Sequence, residues 1–145
     1  MPEWWQSFLD WLRRRPDAGA RGEALAADFL RRERGFTIVA RNWRNPRDRR
    51  DEIDLVGLDG ETLVFVEVKT RSTAALVPGI YAVDRRKRRV LLRACTAYLR
   101  QLRPMPRTFR LDVVEVALPA DPAAAPQILH FANLPLFPKH FHPGP

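Results

Sequence analysis

Acidic and basic side chains recur at two-residue spacing in two neighbouring apolar segments of this chain. Asp54 lies in the first segment, and Glu67 and Lys69 end the second, after a run of Leu, Val and Phe residues. Side chains of a strand alternate between its faces, so Glu67 and Lys69 are expected to share one face. An exposed Glu-x-Lys pair is common on solvated strands and contributes little to stability. A strand as apolar as this one is expected near the centre of a sheet, where charged side chains indicate a function.

A tight turn at Asp59-Gly60 would bring the two segments together, because both residues tolerate the positive φ of a two-residue hairpin. This turn pairs Asp54 with Phe65 and makes Asp54 and Glu67 diagonal neighbours on one face, roughly 7–8 Å apart at Cα. Two such carboxylates can converge on one hard divalent cation. The cation would mask phosphate charge and activate water, while the Lys69 ammonium would stabilise developing negative charge. The pattern therefore suits phosphodiester hydrolysis.

Hydrophobic periodicity predicts the elements that position these residues. Two helices are expected, from Ala20 to Arg34 and from an N-cap at Asp84 to Pro104. The expected strands are 36–43, 51–58, 61–71 and 108–118, with a further short strand at 127–132. The order α-β-β-β-α-β, with the extra strand at its end, is typical of an α/β domain whose mixed sheet is flanked by helices. An amphipathic, Trp-rich helix at residues 3–14 precedes this domain.

Positive charge is concentrated in one part of the chain. The net charge is +8, and eleven Lys and Arg residues lie between Arg71 and Arg110 against a single acid, Asp84. Five consecutive cations, Arg85–Arg89, open the second predicted helix, where the helix dipole disfavours them unless an anion binds. A localised basic surface favours nucleic acid as the partner. The alternative is a solvated basic face.

Several protein classes are excluded by composition. No apolar run approaches the roughly 18 residues needed to span a bilayer, so no transmembrane segment is predicted. The N-terminus lacks the order of a secretory signal. The single cysteine, Cys95, excludes an internal disulfide and a cysteine-based zinc cluster. The three histidines also lack ligand-like spacing. A cytoplasmic location is expected.

Asp54, twelve intervening residues and Glu67-Val68-Lys69 resemble the PD-(D/E)xK nuclease motif, with Ile53 in place of its proline. The wider pattern resembles the YraN-like family of predicted bacterial endonucleases, which is similar in fold to archaeal Holliday-junction resolvases. The residues that carry the resemblance are Gly22-Glu23, Ala26, Arg41–Arg44, Glu52–Leu55, Val64–Arg71, Val83, Lys87, Ala94, Tyr98-Leu99 and Arg110–Val114. Asp51 departs from the family, which usually has glycine there.

The resemblance implies a restriction-endonuclease-like domain over residues 19–134, with an N-terminal extension at 1–18 and a flexible Pro-rich tail at 135–145. It implies a Mg²⁺ or Mn²⁺ ion held by Asp54, Glu67 and the Val68 carbonyl, with Lys69 assisting the water and Glu23 supporting the ion. The residues expected to bind nucleic acid are Arg71, Arg85, Arg86, Lys87, Arg88, Arg89 and Arg93.

The expected function is that of a metal-dependent endonuclease selecting its substrate by structure rather than by base sequence. DNA is favoured over RNA, and the chain could form a homodimer. Two alternatives remain at this point. One is a non-catalytic nucleic-acid-binding protein with a nuclease fold. The other is a protein- or membrane-interaction module that uses the Trp-rich N-terminal helix.

Overall fold

The computed structural model describes residues 16–73 and 84–144, so the amphipathic helix predicted at 3–14 lies outside the described residues. The elements, in chain order, are α1 (Pro16–Arg34), β1 (Thr37–Asn45), β2 (Asp48–Asp59), β3 (Thr62–Ser72), α2 (Arg85–Arg100), β4 (Phe109–Leu118) and β5 (Gln127–Leu134). Neither helix is both long enough and apolar enough to cross a membrane.

The five strands form one mixed sheet in the order β1-β2-β3-β4-β5. Neighbouring strands are antiparallel except β3 and β4, which are parallel and therefore need the crossover in which α2 lies. The prediction of a mixed sheet flanked by helices is confirmed, and the short last strand is present and extends to Leu134. The central strand, β3, is buried continuously from Leu63 to Glu67.

Each face of the sheet carries its own core beneath one helix. The α1-side core consists of Ala26, Ala27, Leu30, Phe36, Leu55, Val64, Val66, Val114, Val116 and Leu118. The α2-side core consists of Ile53, Val56, Leu63, Phe65, Leu91, Ala94, Cys95, Tyr98, Leu99, Leu111 and Val113. The helix α2 begins after the predicted N-cap, Asp84, whose carboxylate accepts a hydrogen bond from the Lys87 backbone N at 2.9 Å. Its end, at Arg100, comes before the predicted stop at Pro104.

The hairpin of β2 and β3 differs in register from the prediction. Its turn residues are Gly60 and Glu61, with Gly60 at φ 59°, and Phe65 pairs with Val56 instead of Asp54. The predicted register is therefore wrong by two residues. Because side chains alternate with a period of two, this shift leaves the faces of β3 unchanged. The ladder ends at the pair of Leu55 with Val66, so Asp54 and Glu67 are the next residues of the two strands.

The alternation of β2 is interrupted at Asp54. Ile53 and Val56 both belong to the α2-side core, whereas Leu55 belongs to the α1-side core. The prediction that Ile53 and Leu55 share a face is therefore wrong. In β1, Asn42 lies between the residues paired with Ile53 and Leu55 and has a φ of 49°, a left-handed conformation that asparagine tolerates. At this interruption the Asp54 side chain reaches the backbone of β3.

The C-terminal segment, predicted to be a flexible tail, packs on the domain through residue 143. Phe137 and Phe141 contact the α2-side core, and the Phe137 ring centroid lies 4.8 Å from that of Phe109. Pro143 is buried, and its carbonyl accepts a hydrogen bond from Arg100 Nε. The apolar residues of this segment therefore cover one edge of the α2-side core.

Candidate active site

Asp54 lies at the interruption of β2 and faces the backbone of β3. Its Oδ2 accepts a hydrogen bond from the Val68 backbone N at 2.8 Å. Burial, and after it the neighbouring Glu67 carboxylate, raises the pKa of Asp54 to about 8, although the Val68 N–H acts in the opposite direction. A carboxyl group in this environment is protonated near neutral pH unless a cation stabilises its charged form. Asp54 is thus suited to hold a cation.

Glu67 is buried on β3 with two lysines at one of its oxygens. Its side chain is 4% exposed, and Oε1 lies 3.2 Å from Lys69 Nζ and 3.1 Å from Lys87 Nζ. Its Oε2 is buried and has no hydrogen-bond partner within the described chain. A buried carboxylate oxygen without a partner costs roughly 1–3 kcal/mol or more. A ligand that contacted Oε2 would remove this cost.

Glu23 approaches the same region from α1. Burial is the main cause that raises the pKa of Glu23, and the carboxylates of Glu52 and Glu67 act in the same direction against a hydrogen bond with Asn42. The charges of the site therefore contribute to the raised pKa of Glu23. Within residues 16–73 and 84–144, however, no three His, Cys, Asp or Glu side chains gather closely enough to hold a metal ion. Glu23 lies beside the Asp54–Glu67 pair without completing a three-carboxylate cluster.

The chemistry of the pair fits a hard divalent cation. Such cations prefer oxygen ligands, and Asp54 and Glu67 supply two neighbouring carboxylates, the first half-buried and the second buried. One of them has an unpartnered oxygen, and the other has a raised pKa. The third predicted ligand, the Val68 carbonyl, belongs to the residue whose N–H already joins β3 to Asp54.

Three of the predicted nucleic-acid-binding residues are engaged within the protein. Lys87 points towards the sheet, as its position on the helix predicts, and contacts Glu67. Arg71 forms an ion pair with the buried Glu115 of β4. Arg93 pairs with Asp51 at 2.8 Å. The other four, Arg85, Arg86, Arg88 and Arg89, are exposed on the first turns of α2.

A family model described as "Uncharacterised protein family UPF0102" matches residues 22–116. The chain belongs to the UPF0102 family. A UPF0102 protein of Koribacter versatilis is 47% identical over 100 residues, which are 69% of this chain and 68% of that protein. One from Solibacter usitatus is 45% identical over 116 residues, covering 78% and 86% of the two chains. One from Geobacter sulfurreducens is 41% identical over 115 residues, covering 79% and 85%. Membership of this family confirms the resemblance to the YraN-like family that the sequence indicates.

The region matched by the UPF0102 model includes Glu23, Asp54, Glu67, Lys69 and Lys87. It ends before β5 and the C-terminal segment. The whole candidate site of this UPF0102 protein therefore lies in the part of the chain that defines its family membership.

Two features of the site in this UPF0102 protein could not be predicted from the sequence. Asn42 lies in β1 opposite the interruption at Asp54 with a left-handed conformation, and in the sequence it is marked only by its place in the string Arg41–Arg44. Asp51 adds an acid where glycine is usual, which suggests extra negative charge near the site. The structure instead buries Asp51 to 3% exposure and balances it with Arg93. The sequence around Asp51 does not indicate this partner, because Arg93 lies 42 residues away in the chain.

Proposed function

We propose that this UPF0102 protein is a metal-dependent endonuclease that hydrolyses phosphodiester bonds in nucleic acid. The observation that supports it best is Glu67, a buried carboxylate with one unpartnered oxygen beside the high-pKa carboxyl of Asp54 and the ammonium groups of Lys69 and Lys87. Strongly perturbed carboxyl groups next to specific charge partners are typical of catalytic sites.

Each residue of the site has its own role in this reaction. Asp54, Glu67 and the Val68 carbonyl would hold Mg²⁺ or Mn²⁺, and the bound ion would neutralise phosphate charge and make water more acidic. Lys69, with its ammonium 3.2 Å from Glu67, stabilises the negative charge that develops on the phosphate and orients the attacking water. Hydrolysis adds water across one P–O bond, and the leaving oxygen takes up a proton.

The basic helix supplies the substrate contacts. Its exposed arginines suit phosphate oxygens, which position a nucleic acid without reporting its base sequence. Selection by the shape of the substrate, such as a branch or a nick, follows from such contacts. We expect DNA rather than RNA as the substrate.

A second candidate is a non-catalytic nucleic-acid-binding protein with the same fold. It is favoured by the absence of a three-ligand acidic cluster in the described parts of the chain and by the two lysines that already neutralise Glu67. The third alternative, an interaction module, depends on the N-terminal helix, which lies outside the described residues.

The decisive experiment is a cleavage assay on branched, nicked and linear DNA with Mg²⁺ or Mn²⁺. Asp54→Asn keeps the side-chain shape but removes a charge, so it should abolish cleavage and weaken ion binding measured by calorimetry. Lys69→Ala should abolish cleavage while retaining ion binding. Lys139→Ala, which removes an exposed lysine of the C-terminal segment, is the matched control and should cleave normally. A wild type that binds branched DNA without ion uptake or cleavage would support the second candidate instead.

A further inference from the structure

One side of α2 and the hairpin of β1 and β2 border a groove in which arginine is the most frequent residue. It consists of three connected hollows, the largest of about 770 Å³. The hollow beside Arg50 shares Arg89 and Arg93 with a middle hollow beside Asp51. The middle hollow shares Asn45, Ala97 and Arg100 with a third hollow beside Trp43. We call this surface the arginine groove, and its arginines are Arg47, Arg50, Arg86, Arg89, Arg93 and Arg100.

The two acids of the groove hold arginines in place and leave the surface positive. Asp48 binds Arg50 through two side-chain hydrogen bonds of 3.0 and 2.8 Å, and Asp51 binds Arg93 at 2.8 Å. The side chains of Arg50 and Arg93 nevertheless remain 85% and 56% exposed. A guanidinium has five N–H donors, so each of these arginines keeps donors for a further anion. The six arginines outnumber the two acids.

The groove and the candidate active site both use the first turn of α2. Arg86 is the neighbour of Lys87, whose ammonium contacts Glu67. Arg100 lies fourteen residues further along the same helix, a distance of about 21 Å at the rise of an α-helix. Successive phosphates of one strand rise about 3.4 Å along a duplex, so the groove matches about six phosphates.

We propose that the arginine groove binds the phosphate backbone of the nucleic-acid strand that leads away from the candidate active site. This inference rests on the proposed function for the identity of the partner. It differs from binding by a generally basic helix because it excludes some arginines and includes others. Arg85 and Arg88 are equally exposed on α2 but do not line the groove, whereas Arg47 and Arg50 line it from the hairpin.

The test compares three double variants of equal charge. Arg86→Ala/Arg89→Ala removes the helix side of the groove, Arg47→Ala/Arg50→Ala removes the hairpin side, and Arg85→Ala/Arg88→Ala removes two arginines of the same helix that lie outside the groove. Binding of a 20-nucleotide single strand and of the matching duplex is measured by fluorescence anisotropy over a range of NaCl concentrations, with EDTA present. Circular dichroism verifies that each variant is folded.

Each groove variant should reduce the magnitude of the slope of log K against log salt, by about 1.8 for the duplex or about 1.4 for the single strand. The Arg85/Arg88 pair, outside the groove, should change the slope by less than half of that. A change with either nucleic acid supports the groove and identifies the form that it binds. Equal changes for the two helix pairs would overturn the groove, and an unchanged slope for the hairpin pair would overturn its hairpin side.

Cleavage by the wild type separates this inference from the proposed function. A wild type that cleaves, combined with groove variants that keep the wild-type slope, would overturn the groove alone. A wild type that does not cleave with either ion, combined with groove variants whose slopes change as expected, would overturn the nuclease function and leave the groove as a nucleic-acid-binding surface.

Discussion

Glu67 remains within a protein core because two ammonium groups compensate one of its oxygens. Lys69 reaches it from the same strand and Lys87 from the start of α2. The two lysines and a divalent cation would stabilise the same carboxylate, so they substitute for one another in part. Removing a lysine should therefore make the protein more dependent on the ion.

Lys87→Met tests this dependence. In buffer without divalent ions the variant should be less stable by about 1–2 kcal/mol, because Glu67 keeps only Lys69 as a partner. Addition of MnCl₂ should raise its Tm by more than that of the wild type, since an ion that binds the folded state stabilises it. Thermal unfolding with and without the ion measures both effects. Lys139→Met removes the same charge from an exposed site and should respond to the ion as the wild type does. An equal Mn²⁺ shift in Lys87→Met and wild type would contradict the shared role.

Asp112 illustrates a buried acid with a structural role away from the site. It is fully buried, lies 2.8 Å from both His130 Nε2 and Arg110 Nε, and accepts a hydrogen bond from the Asn133 backbone N at 2.9 Å. Burial alone would raise the pKa of Asp112, but these hydrogen bonds outweigh it, and the pKa is lowered. The stabilisation is therefore complete above the ordinary aspartate pKa and is lost as the pH falls through the lower folded-state value.

Asp112→Asn should lower the free energy of unfolding by about 3 kcal/mol at pH 7, because Arg110 and His130 lose their charged acceptor. The deficit relative to wild type should shrink near pH 3, below the ordinary aspartate pKa, because the unfolded wild-type chain then gains a proton that the folded carboxylate resists. Urea unfolding at the two pH values measures it. Asp121→Asn, at an exposed aspartate between β4 and β5, should change little at either pH. A deficit that is the same at both pH values would exclude a charged Asp112 as its cause.

Residue placement could be predicted from sequence where a regular period applies. The alternation of β3 places Glu67 and Lys69 together, and the turn of a helix directs Lys87 at the sheet. The interruption at Asp54 and the pairing of Asp51 with Arg93 could not be predicted, because both depend on contacts between distant segments.

At the scale of elements, α1 is seated closely on β3 at Gly22. A Cβ built on Gly22 would lie 1.9 Å from Thr70 Oγ1, so only glycine permits this approach. Thr70 directly follows Lys69, and Glu23 directly follows Gly22. The contact therefore brings α1 close to β3 next to Glu23 and Lys69.

Gly22→Ala should destabilise the protein by about 1–3 kcal/mol, because the added methyl forces α1 away from β3. Gly19→Ala, on the same helix with nothing within 4 Å of the added atom, should instead stabilise it by up to about 1 kcal/mol through higher helix propensity. Unfolding in urea measures both values. Combining Gly22→Ala with Thr70→Ala should restore part of the loss. Equal effects of the two glycine substitutions would contradict the close contact.

The elements themselves could be predicted more reliably than their pairing. Both described helices and all five strands follow from hydrophobic periodicity, and Asp84 is the predicted N-cap of α2. The register of the β2–β3 hairpin could not be predicted, since Asp59-Gly60 and Gly60-Glu61 are both acceptable turns by local preference. Local preference therefore does not decide between the two registers.

On the scale of the whole molecule, the domain is completed by residues beyond the last strand. The sheet leaves the α2-side core open at the edge near Phe109, where Phe137 and Phe141 cover it. Sequence alone suggested a free tail, because prolines at 135, 138, 143 and 145 exclude regular structure there. Irregular backbone can still bury apolar side chains, and that contribution depends on a core assembled by distant elements.

Ending the chain after Leu134 should therefore destabilise the domain. The truncation removes the partly buried Leu136, Phe137 and Phe141 from the α2-side core, and the expected loss is about 3–5 kcal/mol. Urea unfolding of the shortened and full-length chains measures it. Phe137→Ala in the full-length chain should reproduce a large part of the loss, since this ring also contacts Phe65 with its centroid 6.1 Å away. Lys139→Ala, exposed in the same segment, should be neutral. A truncated chain within about 0.5 kcal/mol of the full-length protein would mean that the segment adds nothing to the core, because changes of that size are typical of surface positions.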